Sequence, residues 1–362
     1  MRGETLKEER VEDRLLQLLR TVAPGTPLRE GLENILRAKT GALIVIGDSP
    51  EVMEIAEGGF AVNAEFTPAN LYELAKMDGA IIISSDLKRI LAANTQLIPN
   101  LSIPSTETGI RHRTAERVAK QTGAMVISIS QRRGVITIYK GNLKYVLRDV
   151  GVILAKANQA IQTLEKYRSV LDRVVKQLSI LEFEEAVTLF DVSRAIQRVE
   201  MVLRVVKEIE KYISELGIEG RLITMQLEEL VTGVEHEGLL IIRDYATAAD
   251  RSPGTILAMI NSWPAEDLLD LSLIARALGY PGSTSILDQS VSPRGYRILD
   301  KIPRLPLPVI ENMVKEFGSL QKILNASIEE LDAVEGIGEA RARSIKEGLA
   351  RYREQLLQEG RN

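Results

Sequence analysis

Two short stretches of this 362-residue chain carry the residue types from which a phosphate-transfer site is made. One is Asp78-Gly79, directly ahead of the apolar run Ala80-Ile81-Ile82-Ile83. The other is Thr108-Gly109-Ile110-Arg111-His112-Arg113-Thr114-Ala115-Glu116-Arg117. In the second, Ala115, Val118 and Ala119 recur at helical spacing and Gly123 closes the segment, so a helix begins at the basic residues. A helix start offers free N–H groups and a partial positive charge. Arg111, His112, Arg113 and the Thr114 hydroxyl turn it into an anion site, for which phosphate is the natural guest. The same residues also describe a plain solvated basic helix start. Asp78-Gly79 alone is a turn signal. Ahead of a strand it sets a carboxylate at a sheet edge, able to hold a divalent ion or take a proton from a hydroxyl. Gly79 leaves room for a ligand to approach the backbone. Together the stretches supply both halves of a nucleotidyl-transfer site: charge compensation for phosphates and a carboxylate for the attacking oxygen.

Those residues need a scaffold, and residues 1–150 read as an α/β domain with a mixed sheet. Apolar residues from Thr5 to Arg20 mark a helix stopped by Pro24, and a second helix runs from about Leu28 to Ala38. Ala42–Ile46 and Ala80–Ser84 are apolar runs without alternation, which predicts buried strands. Pro68 to Lys76 reads as a helix, and Gly58-Gly59 as loop. Residues 87–93 read as a further strand leading to Thr95-Gln96-Leu97. Met125–Ser130 and Val135–Tyr139 are strands, the latter joined to Tyr145-Val146-Leu147 by the turn Lys140-Gly141-Asn142-Leu143.

From 151 to 285 the pattern becomes that of an all-α spine. Apolar residues at helical spacing predict long amphipathic helices over Ile153–Leu181 and Val192–Leu216, the latter capped by Gly217. Shorter helices follow through Leu222–Leu230 and between Asp244 and Leu278. His236 sits in a polar stretch that reads as a loop, and this region shows no chemistry. Pro281 to Pro293 reads as a linker.

Residues 286–362 hold an internal repeat. Leu331, Val334, Ile337, Ala342 and Ile345 match Leu299, Ile302, Leu305, Ile310 and Met313 at a constant offset. The reading is a tandem helix-hairpin-helix domain. In its second copy, Gly336-Ile337-Gly338 lets backbone N–H groups approach a DNA phosphate, with Arg341, Arg343 and Lys346 adding charge. In the first copy Arg304-Leu305-Pro306 replaces the glycines, so that half reads as structural.

Composition removes several other chemistries. There is no cysteine, which excludes disulfides, thiolate metal sites and thiol catalysis. With only two histidines a multi-histidine metal site is excluded, so any metal is a hard ion on oxygen ligands. The net charge of −4 gives no global attraction for nucleic acid, so such contacts are local. The charged first ten residues lack a signal peptide's apolar core, and no apolar run reaches membrane-span length, so no membrane partner and a cytoplasmic setting are expected.

The ordered pair Asp78-Gly79-Ala80 and Arg111-His112-Arg113, flanked by Thr108-Gly109 and Thr114-Ala115-Glu116, resembles the diadenylate cyclase family. The resemblance extends through the helical spine and the hairpins. It implies condensation of two ATP into cyclic di-AMP with release of two pyrophosphates, using Mg²⁺ or Mn²⁺. It implies catalytic roles for Asp78, His112 and Arg113, with Asp78 also positioning the metal and helping activate the ribose hydroxyl. ATP contacts are implied for Gly79, Leu97, Ile110, Arg111, His112, Arg113, Thr114 and Ser130, with Leu97 at the adenine. Relatives often carry Thr where Ile110 stands, so only its backbone is assigned. The resemblance further implies binding of branched DNA such as Holliday junctions, a checkpoint role in DNA damage and repair, nucleoid association and a homo-octamer. In-line chemistry between two nucleotides needs two sites face to face, and one chain has one set, so the active unit is at least a dimer. The competing reading is a DNA-junction binding protein whose first domain only senses ATP. A repair nuclease or glycosylase lacks a locatable carboxylate cluster or catalytic lysine.

Overall fold

The fold is described from a computed structural model over residues 15–248, 251–282 and 285–359. The first part of the helix expected from Thr5, and part of the expected 281–293 linker, lie outside those residues. The chain forms two compact units. The first takes residues up to 158 with 210–224, and the second takes 159–209 with those from 225 onward.

In the first unit eight strands make one sheet: β1 (Ala42–Ile46), β2 (Ala56–Glu57), β3 (Phe60–Glu65), β4 (Ala80–Ile83), β5 (Arg89–Leu97), β6 (Met125–Ser130), β7 (Val135–Lys140) and β8 (Leu143–Val146). Their order is β2-β5-β4-β1-β6-β7-β8, with β3 also on β5. Only β1 and β4 run parallel and the other pairs are antiparallel, so the sheet is mixed, as expected. Both of its faces are covered, which is why β1 and β4 read as unbroken apolar runs. Ala42, Ile44 and Ile46 face Leu28, Leu32 and Ile35 of the helix Pro27–Arg37 and Leu71 of the helix Pro68–Leu74. Leu43 and Val45 turn to the other layer, where Ala115, Val118 and Ala119 of the basic helix Ile110–Thr122 pack.

Three elements were not expected from sequence. A short helix, Pro50–Glu54, precedes β2, and β2 and β3 flank Gly58-Gly59 where only loop was read. Strand β3 is largely exposed along its length, so its residues show no buried alternation. Strand β5 is a single strand reaching Leu97, but its pairing with β4 shifts register and Asn94 adopts φ +56°, which breaks the period-two pattern.

In the second unit, residues of the long helices Val150–Glu184 and Leu189–Leu216 pack Val174, Leu178, Val192, Ala195 and Ile196 against Ile241, Ile242, Ile256, Ile260 and Ile274. His236 is helical, a correction to the loop reading. Gly233 at φ +76° opens the helix Val234–Tyr245, and Glu235 and Glu237 in its first turn suit the positive helix end. The polar composition of that first turn disguised it. The tandem hairpin is formed as the repeat implies. Leu299, Ile302, Ile310 and Met313 share one core with Leu331, Val334, Ile337, Ala342 and Ile345. Arg304, the counterpart of Gly336, adopts φ +61° where Gly336 has φ +85°, so both copies make the same left-handed bend.

A buried polar network joins the start of the first hairpin to the helices beneath it. Arg297 is fully buried and pairs with Glu182 through Nη2, with Glu237 Oε1 at 3.1 Å and with Ser179 Oγ at 3.0 Å. Tyr245 Oη donates to Glu182 Oε1 at 2.8 Å. Asp244 accepts the N–H groups of Gly295 and Tyr296 at 2.7 Å each and that of Arg297 at 3.0 Å, capping the helix Tyr296–Asp300.

Candidate functional site

Strand register gathers the first unit's polar residues at one edge of the sheet. Ala80 opens β4 opposite Leu43 of β1 and Thr95 of β5, so Asp78-Gly79 lies beside the start of β1 and near the far end of β5. Ala42 pairs with Ile129, which places Ser130 next to Gly41 on the same edge. Above that edge the basic helix begins at Ile110. Its N-cap is Gly109, which has no side chain to satisfy the free N–H groups, so they stay available to an anion.

A cavity of about 330 Å³ opens there, lined by Glu107, Thr108, Gly109, Arg111, His112, Ile129, Ser130, Gln131, Arg132 and Arg133. It brings together Arg111, His112 and Ser130 of the expected set. Arg111 lies against the backbone of Gly41, where an added Cβ would sit 2.0 Å from its Nη1. A bare Cα at 41 is what lets the guanidinium rest over the sheet edge. Three residues of the β6–β7 turn, Gln131, Arg132 and Arg133, were not singled out from sequence, although the basic run after Ser130 was visible there.

Other members of the set lie outside that cavity lining. Arg113 turns back on its own loop, with Nε 3.3 Å from the Glu107 carbonyl and Nη2 3.4 Å from that of Thr108. Thr114 is half-buried in the first turn of the helix, and Ile110 is 83% exposed at its tip. Leu97 is buried in the core beneath the helix, 8% exposed. Asp78 is exposed, with no side-chain partner among the described residues. Gly79 adopts φ +101°, and a Cβ there would come 2.7 Å from the carbonyl carbon of Asn94. Its glycine therefore answers first to the neighbouring strand, a reason the sequence could not supply.

Glu107, Tyr139 and Lys144 form a group that sequence reasoning missed. Tyr139 Oη donates to Glu107 Oε1 at 2.8 Å and lies 3.1 Å from His112 Nδ1. Lys144 is ion-paired to the same carboxylate. Only the β6–β7–β8 register brings Tyr139 and Lys144 together, at opposite pair positions, and no local motif announces it. The loop carrying Glu107 is fixed from the helix side, since Glu116 accepts from the Thr106 N–H at 3.1 Å and pairs with Lys120 at 2.7 Å.

No group of three acidic or histidine side chains suited to a metal occurs among the described residues. An exposed carboxylate at Asp78 fits the sparse arrangement typical of Mg²⁺, which takes one or two carboxylates and fills its shell with phosphate oxygens and water.

In the second unit, Gly336-Ile337-Gly338 leads into the helix Glu339–Glu359. Gly338 has open space where a Cβ would project. Arg341 donates to the Gly336 carbonyl, bracing the bend, and Arg343 pairs with Glu339 at 2.6 Å. Lys346 donates to the Leu324 carbonyl at 2.9 Å. Among the described residues no helix is long and apolar enough to cross a membrane.

Comparison with known proteins finds three family models along the chain. Residues 29–143 match the family model described as DisA bacterial checkpoint controller nucleotide-binding, and residues 147–287 match the DisA bacterial checkpoint controller linker region. Residues 319–348 match the helix-hairpin-helix motif. The chain is 69% identical over 345 residues to a DNA integrity scanning protein DisA of Carboxydothermus hydrogenoformans, covering 95% of this chain and 98% of the relative. It is 61% identical over 346 residues to the protein of that name from Clostridium kluyveri, covering 96% and 97% respectively.

Proposed function

Because the chain belongs to the DNA integrity scanning protein DisA family, with its nucleotide-binding, linker and helix-hairpin-helix parts, we propose that it condenses two ATP into cyclic di-AMP and couples this to DNA. The observation that carries the reading is the shared sheet edge: Asp78-Gly79, Gly41 and Ser130 lie beside one another under the uncapped start of the basic helix.

The triphosphate lies in the cavity, where Arg111, Arg133, the Ser130 hydroxyl and the free N–H groups of the helix start compensate its charge. Asp78 stands at the strand end to receive the proton of the ribose 3′-hydroxyl as it attacks. Asp78 would also help hold Mg²⁺ or Mn²⁺, which when bound neutralises phosphate charge. The attacking oxygen and the departing pyrophosphate must be in line, so the hydroxyl comes from a nucleotide on a second copy facing the first. Ile110, 83% exposed at the tip of the basic helix beside the cavity, is apolar surface suited to such a partner. The assembly is at least a dimer, and by family resemblance an octamer. Incubation of the protein with ATP and Mg²⁺, with products resolved by chromatography, tests the reading; absence of any cyclic dinucleotide with Mg²⁺ or Mn²⁺ defeats it.

Gly41→Ala tests the seat of Arg111. The added methyl displaces the guanidinium but leaves the strand intact, so KM for ATP rises about tenfold, as for a lost charged hydrogen bond, with little change in Tm. Steady-state kinetics beside a thermal melt check this.

The second hairpin binds DNA through its backbone, and branched DNA is the expected preference because several hairpins on one oligomer engage several arms. Gly338→Val separates binding from folding. A Cβ at this position meets nothing within 4 Å, and the loss of a good helix cap costs about 1 kcal/mol, whereas a phosphate approaching the backbone would meet the branched side chain. Affinity for a four-way junction, read by fluorescence anisotropy, falls at least about tenfold, and wild-type affinity weakens steeply with salt. Unchanged affinity in the variant would assign the hairpin to protein contacts.

A further inference from the structure

Behind the start of the basic helix, hydrogen bonding allows one arrangement of protons. Burial pushes the Glu107 carboxyl up, but the bonds from Lys144 and Tyr139 and the nearby positive charge outweigh it and hold it below the usual range. Glu107 is therefore a carboxylate and can only accept. Burial, then the bond to Glu107, pushes the Tyr139 phenol well above its ordinary value, so it keeps its single proton. That proton lies on the 2.8 Å line to Glu107. The 3.1 Å contact with His112 must then be donated by the ring, which places a hydrogen on Nδ1.

Burial also lowers the His112 pKa, with Lys144, Arg133 and Arg111 adding to it and Glu107 opposing. The ring is neutral near pH 7, and a neutral ring carrying hydrogen on Nδ1 has a bare lone pair on Nε2. This is the one ring nitrogen left for a ligand. A lone pair repels a phosphate oxygen, whereas a protonated Nε2 donates a charge-assisted bond to it.

We propose that Tyr139 and Glu107, anchored by Lys144, are positioning residues that commit His112 to the Nδ1–H form, so that Nε2 takes up a proton whenever a polyphosphate enters the cavity. The negative charge of the guest stabilises the imidazolium. A ring free to choose its tautomer could instead donate from Nε2 while neutral, with no uptake. Polyphosphate affinity accordingly falls as pH rises between the free and bound pKa values, by up to about tenfold per pH unit. The proposal rests on reading the cavity as the triphosphate site.

The chain has only two histidines, which makes the test direct. Magic-angle-spinning NMR of full-length protein labelled with ¹⁵N-histidine, with His236→Gln assigning the second ring, reads the tautomer of His112. At pH 7.5 the expected pattern is Nδ1–H with bare Nε2, changing to a doubly protonated ring with inorganic tripolyphosphate. Tyr139→Phe keeps the packing and should shift the neutral ring towards Nε2–H, and Glu107→Gln should act in the same direction by releasing the tyrosine proton. A wild-type ring already carrying hydrogen on Nε2, a tautomer unmoved by Tyr139→Phe, or a ring still neutral with tripolyphosphate bound would each overturn the proposal. Turnover is not read, so a preparation that makes no cyclic dinucleotide counts against the proposed activity and leaves the proton assignment standing.

Discussion

Asp78→Asn lowers cyclic di-AMP formation by about 10²- to 10⁴-fold, the usual contribution of a positioned proton acceptor. The carboxylate is exposed, without a side-chain partner among the described residues, so the fold does not need it. Asparagine preserves size and polarity but cannot take the hydroxyl proton, and it holds a divalent ion poorly. The loss should therefore fall on kcat, with the melting temperature and junction affinity unchanged, because the hairpins belong to the other compact unit. Chromatographic product assays beside anisotropy titrations measure both. Turnover within about fivefold of wild type would remove Asp78 from the chemistry. Equal loss of cyclase and DNA binding would argue against separable parts.

Arg297→Met destabilises the second unit by about 3–5 kcal/mol, because it leaves the buried Glu182 without its counter-charge. Glu237, which burial pushes up and Arg297 and Lys301 hold down, loses one of its two cationic partners as well. Adding Glu182→Met to Arg297→Met recovers a large part of the loss, since replacing a whole buried pair costs far less than breaking it. The sole tryptophan, Trp263, packs in this unit, so urea denaturation followed by its fluorescence reports the right transition. A single variant within about 1 kcal/mol of wild type would show that the network contributes little to stability.

What the sequence disclosed follows from how local each signal is. Ala42–Ile46 and Met125–Ser130 were legible to the residue because both sheet faces are covered and every side chain is apolar or small. The hairpin repeat was legible because its anchors keep a constant spacing and share one core. Strand β3 escaped because it buries almost nothing, and the helix around His236 because its first turn is mostly acidic and polar. In the site, Arg111 and His112 were readable from residue type and position, Ser130 came from the family resemblance, and the structure sets all three round one cavity. Gly41, Tyr139 and Lys144 were not, because their roles come from register between strands distant in sequence. A glycine before a strand or a tyrosine within one carries no mark of the side chain it will meet.

The cavity owes its existence to ends of strands that pair across long separations: β1 with β4, β1 with β6, and Tyr139 reaching Glu107 from β7. Its lining runs only from Glu107 to Arg133, but Gly41 beneath Arg111 and Lys144 on Glu107 hold that lining from outside this span. A ribosome-bound chain thus acquires the pocket all at once, late in the emergence of the first unit. A product terminated before Lys144 lacks the cation that anchors Glu107, and with it the support of the loop at the cavity's rim.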